Sequence, residues 1–149
     1  MQQVYSVDWH PTTNRIISGA HDRNIYIWTF NESKNTWEPG LVNFSTKISV
    51  SEVKWSLEGD KFLACSSRLL ATGYYDSEIN WWTCKSIREH LSFVTCAKFD
   101  NSGLFILSGS TDKKAYISSS YIKSIDDVKE FEKLPFPKVT TIFIFNNHM

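Results

Sequence analysis

Three segments of the chain read alike when set one under another. They are Val4-Tyr5-Ser6-Val7-Asp8-Trp9, Val50-Ser51-Glu52-Val53-Lys54-Trp55 and Val94-Thr95-Cys96-Ala97-Lys98-Phe99. They start at residues 4, 50 and 94, so the period is 46 and then 44 residues. Each reads as a short strand that ends on a large aromatic. A period of this size means that one supersecondary unit is used three times. It has to be recognised before any motif inside it is interpreted.

The register continues through the rest of each unit. Asn14-Arg15-Ile16-Ile17-Ser18-Gly19 lies over Asp60-Lys61-Phe62-Leu63-Ala64-Cys65 and Leu104-Phe105-Ile106-Leu107-Ser108-Gly109. The two strands are separated by polar turns at Pro11-Thr12-Thr13-Asn14, Leu57-Glu58-Gly59-Asp60 and Asn101-Ser102-Gly103. Proline presets φ in such turns and glycine permits a positive φ. A third strand is predicted at Ile25 to Thr29, Leu69 to Tyr75 and Ala115 to Ser119. A fourth is predicted at Trp37 to Val42, Trp81 to Ile87 and Tyr121 to Ile125. The only competing helical signal is a charged turn at Asp126 to Lys133.

Four strands every 44 to 46 residues is the signature of a WD-repeat β-propeller blade. The expected fold is all-β, with about three four-stranded blades over residues 1–135 in units 2–46, 47–90 and 91–130, followed by an unmatched tail at 136–149. Closed propellers use about four to eight blades, so three form an incomplete ring.

Composition narrows the partners. The 149 residues carry 16 basic and 16 acidic side chains, a net charge of zero. Nucleic acid and anionic membranes select an excess of cations, so neither is expected as the main partner. Apolar runs are too short to span a bilayer, so no membrane insertion is expected. Gln2 and Gln3 lead into strand-like alternation and not into a secretory leader. Cys65, Cys84 and Cys96 have no metal-type spacing and read as reduced, small apolar residues. The sequons at Asn31 and Asn43 matter only in a secreted chain.

One stretch raises a chemical question. Ser18, His21 and Asp22 are the side chains of a charge relay, set within five residues. In the repeat register Ser18 and Asp22 return as Ser108 and Asp112, while His21 is replaced by Thr111. A catalytic triad has no use for a second serine–aspartate pair one unit away, whereas every blade must fix the turn between its second and third strands. A carboxylate there can accept backbone N–H bonds. The WD-repeat pattern also places a tryptophan six residues beyond the aspartate, here Trp28, and a histidine four residues before the first strand, here His90. The expected structural tetrad is therefore Ser18, Asp22 and Trp28 in the first unit and His90, Ser108 and Asp112 in the third. The middle unit has Ala64 and Arg68 at those positions. His21 is expected to be an exposed loop residue, and no residue is assigned to catalysis, a cofactor or a metal.

Several segments are more specific than a generic repeat. Asn14-Arg15-Ile16, Asp22-Arg23-Asn24, Tyr26, Trp28-Thr29 and Thr36-Trp37-Glu38-Pro39-Gly40-Leu41-Val42 resemble the propeller subunit, subunit 1, of the actin-related protein 2/3 complex. So do Val53-Lys54-Trp55, Lys61-Phe62, Ser67-Arg68 and Ser120-Tyr121-Ile122-Lys123. The most specific is Asn80-Trp81-Trp82-Thr83-Cys84-Lys85-Ser86-Ile87. The resemblance covers about residues 2 to 130. It implies a non-catalytic scaffold without cofactors, acting in nucleation of branched actin filaments in the cytoplasm and cytoskeleton. Its implied partners are the other subunits of that complex and actin. The alternative from another class is a WD-repeat adaptor presenting peptide motifs to an assembly such as a ubiquitin ligase.

Three departures from that family set further expectations. Its members are more than twice as long and carry a helical insert in their late blades. The first unit's tetrad histidine would fall one residue before Met1, which suggests a truncated reading frame. Val139 to Phe145, uncharged and β-prone, is either intron read-through or a frame error, or a divergent strand. Trp81 and Trp82 point to opposite faces of a strand. One is expected in the inter-blade core, and the other is either a partner contact or packed under its own blade's loops.

Overall fold

The computed structural model describes residues 3–44, 46–128, 132 and 139–144. Among them, twelve strands form three four-stranded antiparallel sheets. The first is a meander of β1 (Val4–Trp9), β2 (Arg15–Ala20), β3 (Ile25–Asn31) and β4 (Thr36–Val42). The second repeats it with β5 (Glu52–Trp55), β6 (Lys61–Ser66), β7 (Leu69–Asp76) and β8 (Trp81–Ile87). The third contains β9 (Val94–Phe99), β10 (Phe105–Ser110), β11 (Lys114–Ser119) and β12 (Val139–Ile144). These are three propeller blades in the predicted register.

The fourth strand of the third blade differs from the expectation. Residues Tyr121 to Ile125 do not pair with β11; the chain turns there, with Ile125 and Asp126 N–H groups donating to the Ile122 carbonyl. The strand that closes the sheet is β12, which pairs Ser118 with Val139 and Lys114 with Ile144. Polar Lys123, Ser124 and Asp126 suit a turn, whereas Val139 to Ile144 carries the β-branched and aromatic residues of a strand. Half of the charged stretch at 126–133, residues 129–131 and 133, lies outside the described residues.

Blade turns use the same device three times. The residue after each first strand donates its N–H to the residue that opens the second: His10 to Arg15, Ser56 to Lys61 and Asp100 to Phe105, at 2.9, 2.9 and 3.0 Å. Its side chain then accepts turn N–H groups. His10 Nδ1 takes those of Thr12 and Thr13, Ser56 Oγ that of Lys61, and Asp100 those of Ser102 and Phe105. Gly59 and Gly103 supply the positive φ that two of these turns need, +76° and +67°.

Cross-strand partners share a face, and each blade therefore has two faces to bury. Blade 1 lays Ile17, Ile25, Ile27 and Val42 against Val53, Trp55, Phe62 and Trp82 of blade 2. Blade 2 lays Leu63, Cys65 and Leu70 of its other face against Val94, Ala97, Phe99 and Ile106 of blade 3. At the inner edge the first strands are braced by side chains. Ser6 Oγ accepts from Val53 N–H at 3.1 Å, and Asp8 accepts from Trp55 N–H at 2.8 Å. One blade on, Glu52 accepts from Ala97 N–H at 3.1 Å. The next acceptor position is Lys54, which cannot accept and pairs with Glu52 at 2.8 Å.

A buried ion pair holds the last blade to the middle one. Lys61, fully buried in β6, donates to Asp126 Oδ1 at 2.6 Å and to the Gly103 carbonyl at 2.8 Å. Asp126 also accepts the Ile122 N–H. Lys61→Met is expected to destabilise the protein by about 3–5 kcal/mol, because it leaves the Asp126 charge without its cation. Lys61→Met with Asp126→Leu should recover most of that loss; urea unfolding of both variants is the check.

Candidate functional site

The third blade brings together the residues that the repeat register singled out. His90 precedes β9, Ser108 lies in β10, and Asp112 sits in the β10–β11 turn. His90 Nδ1 is 3.0 Å from Asp112 Oδ2, and Nε2 is 2.9 Å from Ser108 Oγ. A carboxylate can only accept, so Nδ1 carries the proton that faces Asp112, and Nε2 shares a hydrogen bond with the Ser108 hydroxyl. Asp112 accepts two more bonds, from Leu91 N–H at 2.9 Å and Lys114 N–H at 3.0 Å. The Tyr116 ring meets the imidazole edge-on at 4.8 Å. Burial works to raise the Asp112 carboxyl, but the Leu91, His90 and Lys114 donors outweigh it and hold it below the ordinary carboxylate value.

The first blade holds the complementary part of the network. Trp28 Nε1–H donates to Ser18 Oγ at 2.9 Å, and Asp22 accepts the Asn24 N–H at 3.1 Å. The Tyr26 hydroxyl is 3.4 Å from the other Asp22 oxygen. In both blades the aspartate bonds the N–H two residues on, across a turn whose next residue has positive φ, Arg23 at 70° and Lys113 at 65°. The third blade has Ser118 at the tryptophan position, buried and without a hydrogen-bond partner for its hydroxyl among the described residues. Blade 2 has neither half. Its β6–β7 turn is only Ser67-Arg68, with Ser66 paired to Leu69, and so short a loop closes without a bracing carboxylate.

Ser18, His21 and Asp22 are not brought together as a relay. His21 is exposed and bonded to the Tyr5 hydroxyl at 3.1 Å, away from Ser18. His90, Ser108 and Asp112 do have relay connectivity, but catalysis needs an accessible nucleophile. Ser108 is buried, and the cleft of about 590 Å³ beside His90 is lined by Thr46, Lys47, Ser66, Arg68 and Arg88, without Ser108. Among the described residues no cluster of His, Cys, Asp or Glu is arranged to hold a metal ion, and no helix is long and apolar enough to cross a membrane.

Of the paired tryptophans, Trp82 is buried against Trp55 and Phe62, at ring distances of 5.1 and 5.7 Å. Trp81 does not pack under its own blade's loops. It is partly buried against the blade 1–blade 2 core, and its Nε1–H donates to the Leu41 carbonyl of blade 1 at 2.7 Å. The indole lies over Gly40, where any Cβ would collide with it. Sequence reasoning missed this staple, the His10 turn cap and the Lys61 ion pair. The glycine opposite an aromatic was the available signal for the first. Nothing local marked the other two.

Three repeated blades, their turn aspartates and their serine–tryptophan or serine–histidine bonds define a WD-repeat propeller array. Residues 2–29 and 81–117 match the family model described as WD domain, G-beta repeat. More particularly, the chain is similar to subunit 1 of the actin-related protein 2/3 complex. It is 32% identical over 126 residues to subunit 1A-B of Xenopus laevis, covering 83% of this chain and 34% of that protein. It is 34% identical over 127 residues to subunit 1A of Arabidopsis thaliana (84% and 33%), and 31% identical over 142 residues to subunit 1 of Schizosaccharomyces pombe (91% and 37%). The chain thus spans about a third of the length of these relatives. Among solved structures, Saccharomyces cerevisiae Sqt1 superposes with a TM-score of 0.69 at 15% identity, covering 82% of this chain and 33% of that one, a likeness of fold alone.

Asp112→Ala is expected to cost about 1–3 kcal/mol, and Asp22→Ala, with fewer and longer bonds to lose, about 0.5–1.5 kcal/mol. Chemical denaturation of both variants measures the difference. The pH dependence has a definite sign. The native Asp112 carboxyl binds its proton more weakly than the unfolded one, so its stabilisation is present above about pH 4 and is lost as pH falls through the depressed native value. Asp112→Ala should flatten the acid limb of the stability profile.

Proposed function

We propose that this chain is part of a non-catalytic scaffold that serves in the actin-related protein 2/3 complex, and that it acts with the other subunits and actin in nucleating branched filaments. The cytoplasm and cytoskeleton are then its place of work. The observation that carries this reading is the similarity, at 31–34% identity, over 83–91% of the chain to subunit 1 from animal, plant and fungal sources. The physical design fits a scaffold. The polar constellation closest to a catalytic one is buried and fully used in bracing a turn, and burial pushes the Cys65 and Cys84 thiols up to about 12. At neutral pH neither is a nucleophilic thiolate.

Affinity purification of the tagged chain from cells tests the reading. Recovery of the other actin-related complex subunits supports it, and recovery of ubiquitin-ligase components instead points to a general WD-repeat adaptor. In a complex reconstituted without its propeller subunit, this chain alone is expected not to restore branching. It spans about a third of the length of its relatives, and the resemblance implies a helical insert in late blades beyond the part matched here. Full branching by residues 1–149 would overturn that part.

A further inference from the structure

The turn that follows β11 fastens the third blade to the middle one and presents a serine at the surface. Its backbone closes with the Ile125 and Asp126 N–H groups donating to the Ile122 carbonyl at 3.0 and 2.9 Å. The Asp126 carboxylate accepts from Lys61 at 2.6 Å and also takes the Ile122 N–H. Ser124, in the middle of the turn, is exposed, as are Lys123 before it and Asp127 after it. From the middle blade, Lys85 of β8 reaches the start of the turn and donates from Nζ to the Tyr121 carbonyl at 3.2 Å. Ser124 lines a surface hollow of about 440 Å³ together with Tyr74, Lys85, Ile122 and Lys123.

The polar groups of this hollow are all of one kind. Lys85 and Lys123 bring ammonium groups and Tyr74 a phenol, and among the described residues that line it none is acidic. Neither lysine belongs to an ion pair among the described residues. Such a set suits a group with negative charge and several acceptor oxygens. The sequence around the serine has the opposite sign. Asp126 and Asp127 follow it by two and three residues, and Asp127 is exposed where an enzyme with a basic substrate groove can read it. We infer that Ser124 is a phosphorylation site, and that Lys85 and Lys123 hold the added phosphoryl group. The donor is ATP on a separate kinase. Ser124 Oγ attacks the γ-phosphorus and forms an Oγ–P bond, while the bond from that phosphorus to the β–γ bridging oxygen breaks. ADP leaves, and the hydroxyl proton passes to the kinase's catalytic base. The phosphoryl group carries a charge of about −1.5 to −2 at neutral pH. Because Lys85 lies on β8, the modification adds a second polar tie between the middle and third blades beside Lys61 and Asp126. That tie is exposed, so salt weakens it. It concerns the chain itself and is independent of membership in any larger complex.

Treatment of the purified chain with ATP and an acid-directed serine kinase tests the site. Peptide mass mapping should place phosphate on Ser124, and Ser124→Ala should abolish that incorporation without changing the unfolding of the unmodified chain. Modification should raise the thermal midpoint by about 2–4 °C. The rise should shrink in molar salt, vanish in Lys85→Gln and survive in Lys85→Arg, each compared with its own unmodified form. Phosphate on other residues only, or none at all, overturns the site. Genetic encoding of phosphoserine at position 124 supplies the modified chain without a kinase and tests the pairing separately. A midpoint that stays or falls on modification, or a rise that persists in Lys85→Gln, overturns the pairing.

Discussion

Everything in this molecule depends on one sheet face being buried against the next. A four-stranded meander has two faces and cannot bury either by itself, so each blade depends on a neighbouring blade for its core. The contact has an apolar part and a polar part. Ile17, Ile27 and Trp55 exclude water across the first interface, and Leu63, Leu70 and Phe99 do so across the second. At the inner edge, strand N–H groups that would be left open find acceptors on the preceding blade, as Val53 and Trp55 do at Ser6 and Asp8. The apolar part sets the distance between blades. The polar part sets which residue of one inner strand lies beside which residue of the next.

The turn networks are subordinate to that stacking. Blade 1 keeps the tryptophan–serine bond and blade 3 the histidine–serine–aspartate bonds, while blade 2 has shortened its hairpin and keeps neither. Blade 2 is nonetheless the best-buried sheet, with every residue of β6 inaccessible. Neighbours on both sides stabilise it more than a turn carboxylate can. Its extra fastening is of another kind: Lys61 reaches the Gly103 carbonyl and Asp126 of blade 3, and Trp81 reaches the Leu41 carbonyl of blade 1. Both join residues at least 40 positions apart.

The candidate site was legible to the extent that it is periodic. Ser18 and Asp22 recur as Ser108 and Asp112, and in both blades the aspartate accepts the N–H two residues on. His90 was legible because its place is fixed relative to the first strand. His10 was not, since its equivalents Ser56 and Asp100 share a role but no residue type. The fourth strand of blade 3 was misplaced because Tyr121 to Ile125 satisfied the expected spacing, while the segment that pairs with β11 lies some twenty residues further on.

By itself, the sequence determined the blade count, the strands of the first two blades and the turns between them. These follow from alternation and turn chemistry, which are local and repeat with the chain. Only the tertiary structure decided what each face covers. Trp9, Trp55 and Phe99 are one position in the repeat, yet the first is open and the others buried, because burial depends on whether another sheet stands opposite. The same holds for Lys61, whose charge finds its partner 65 residues away, and for Trp81, which the pleat alone would send to the other face. Contacts of this kind belong to the approach of two sheets, and no window along one strand contains them.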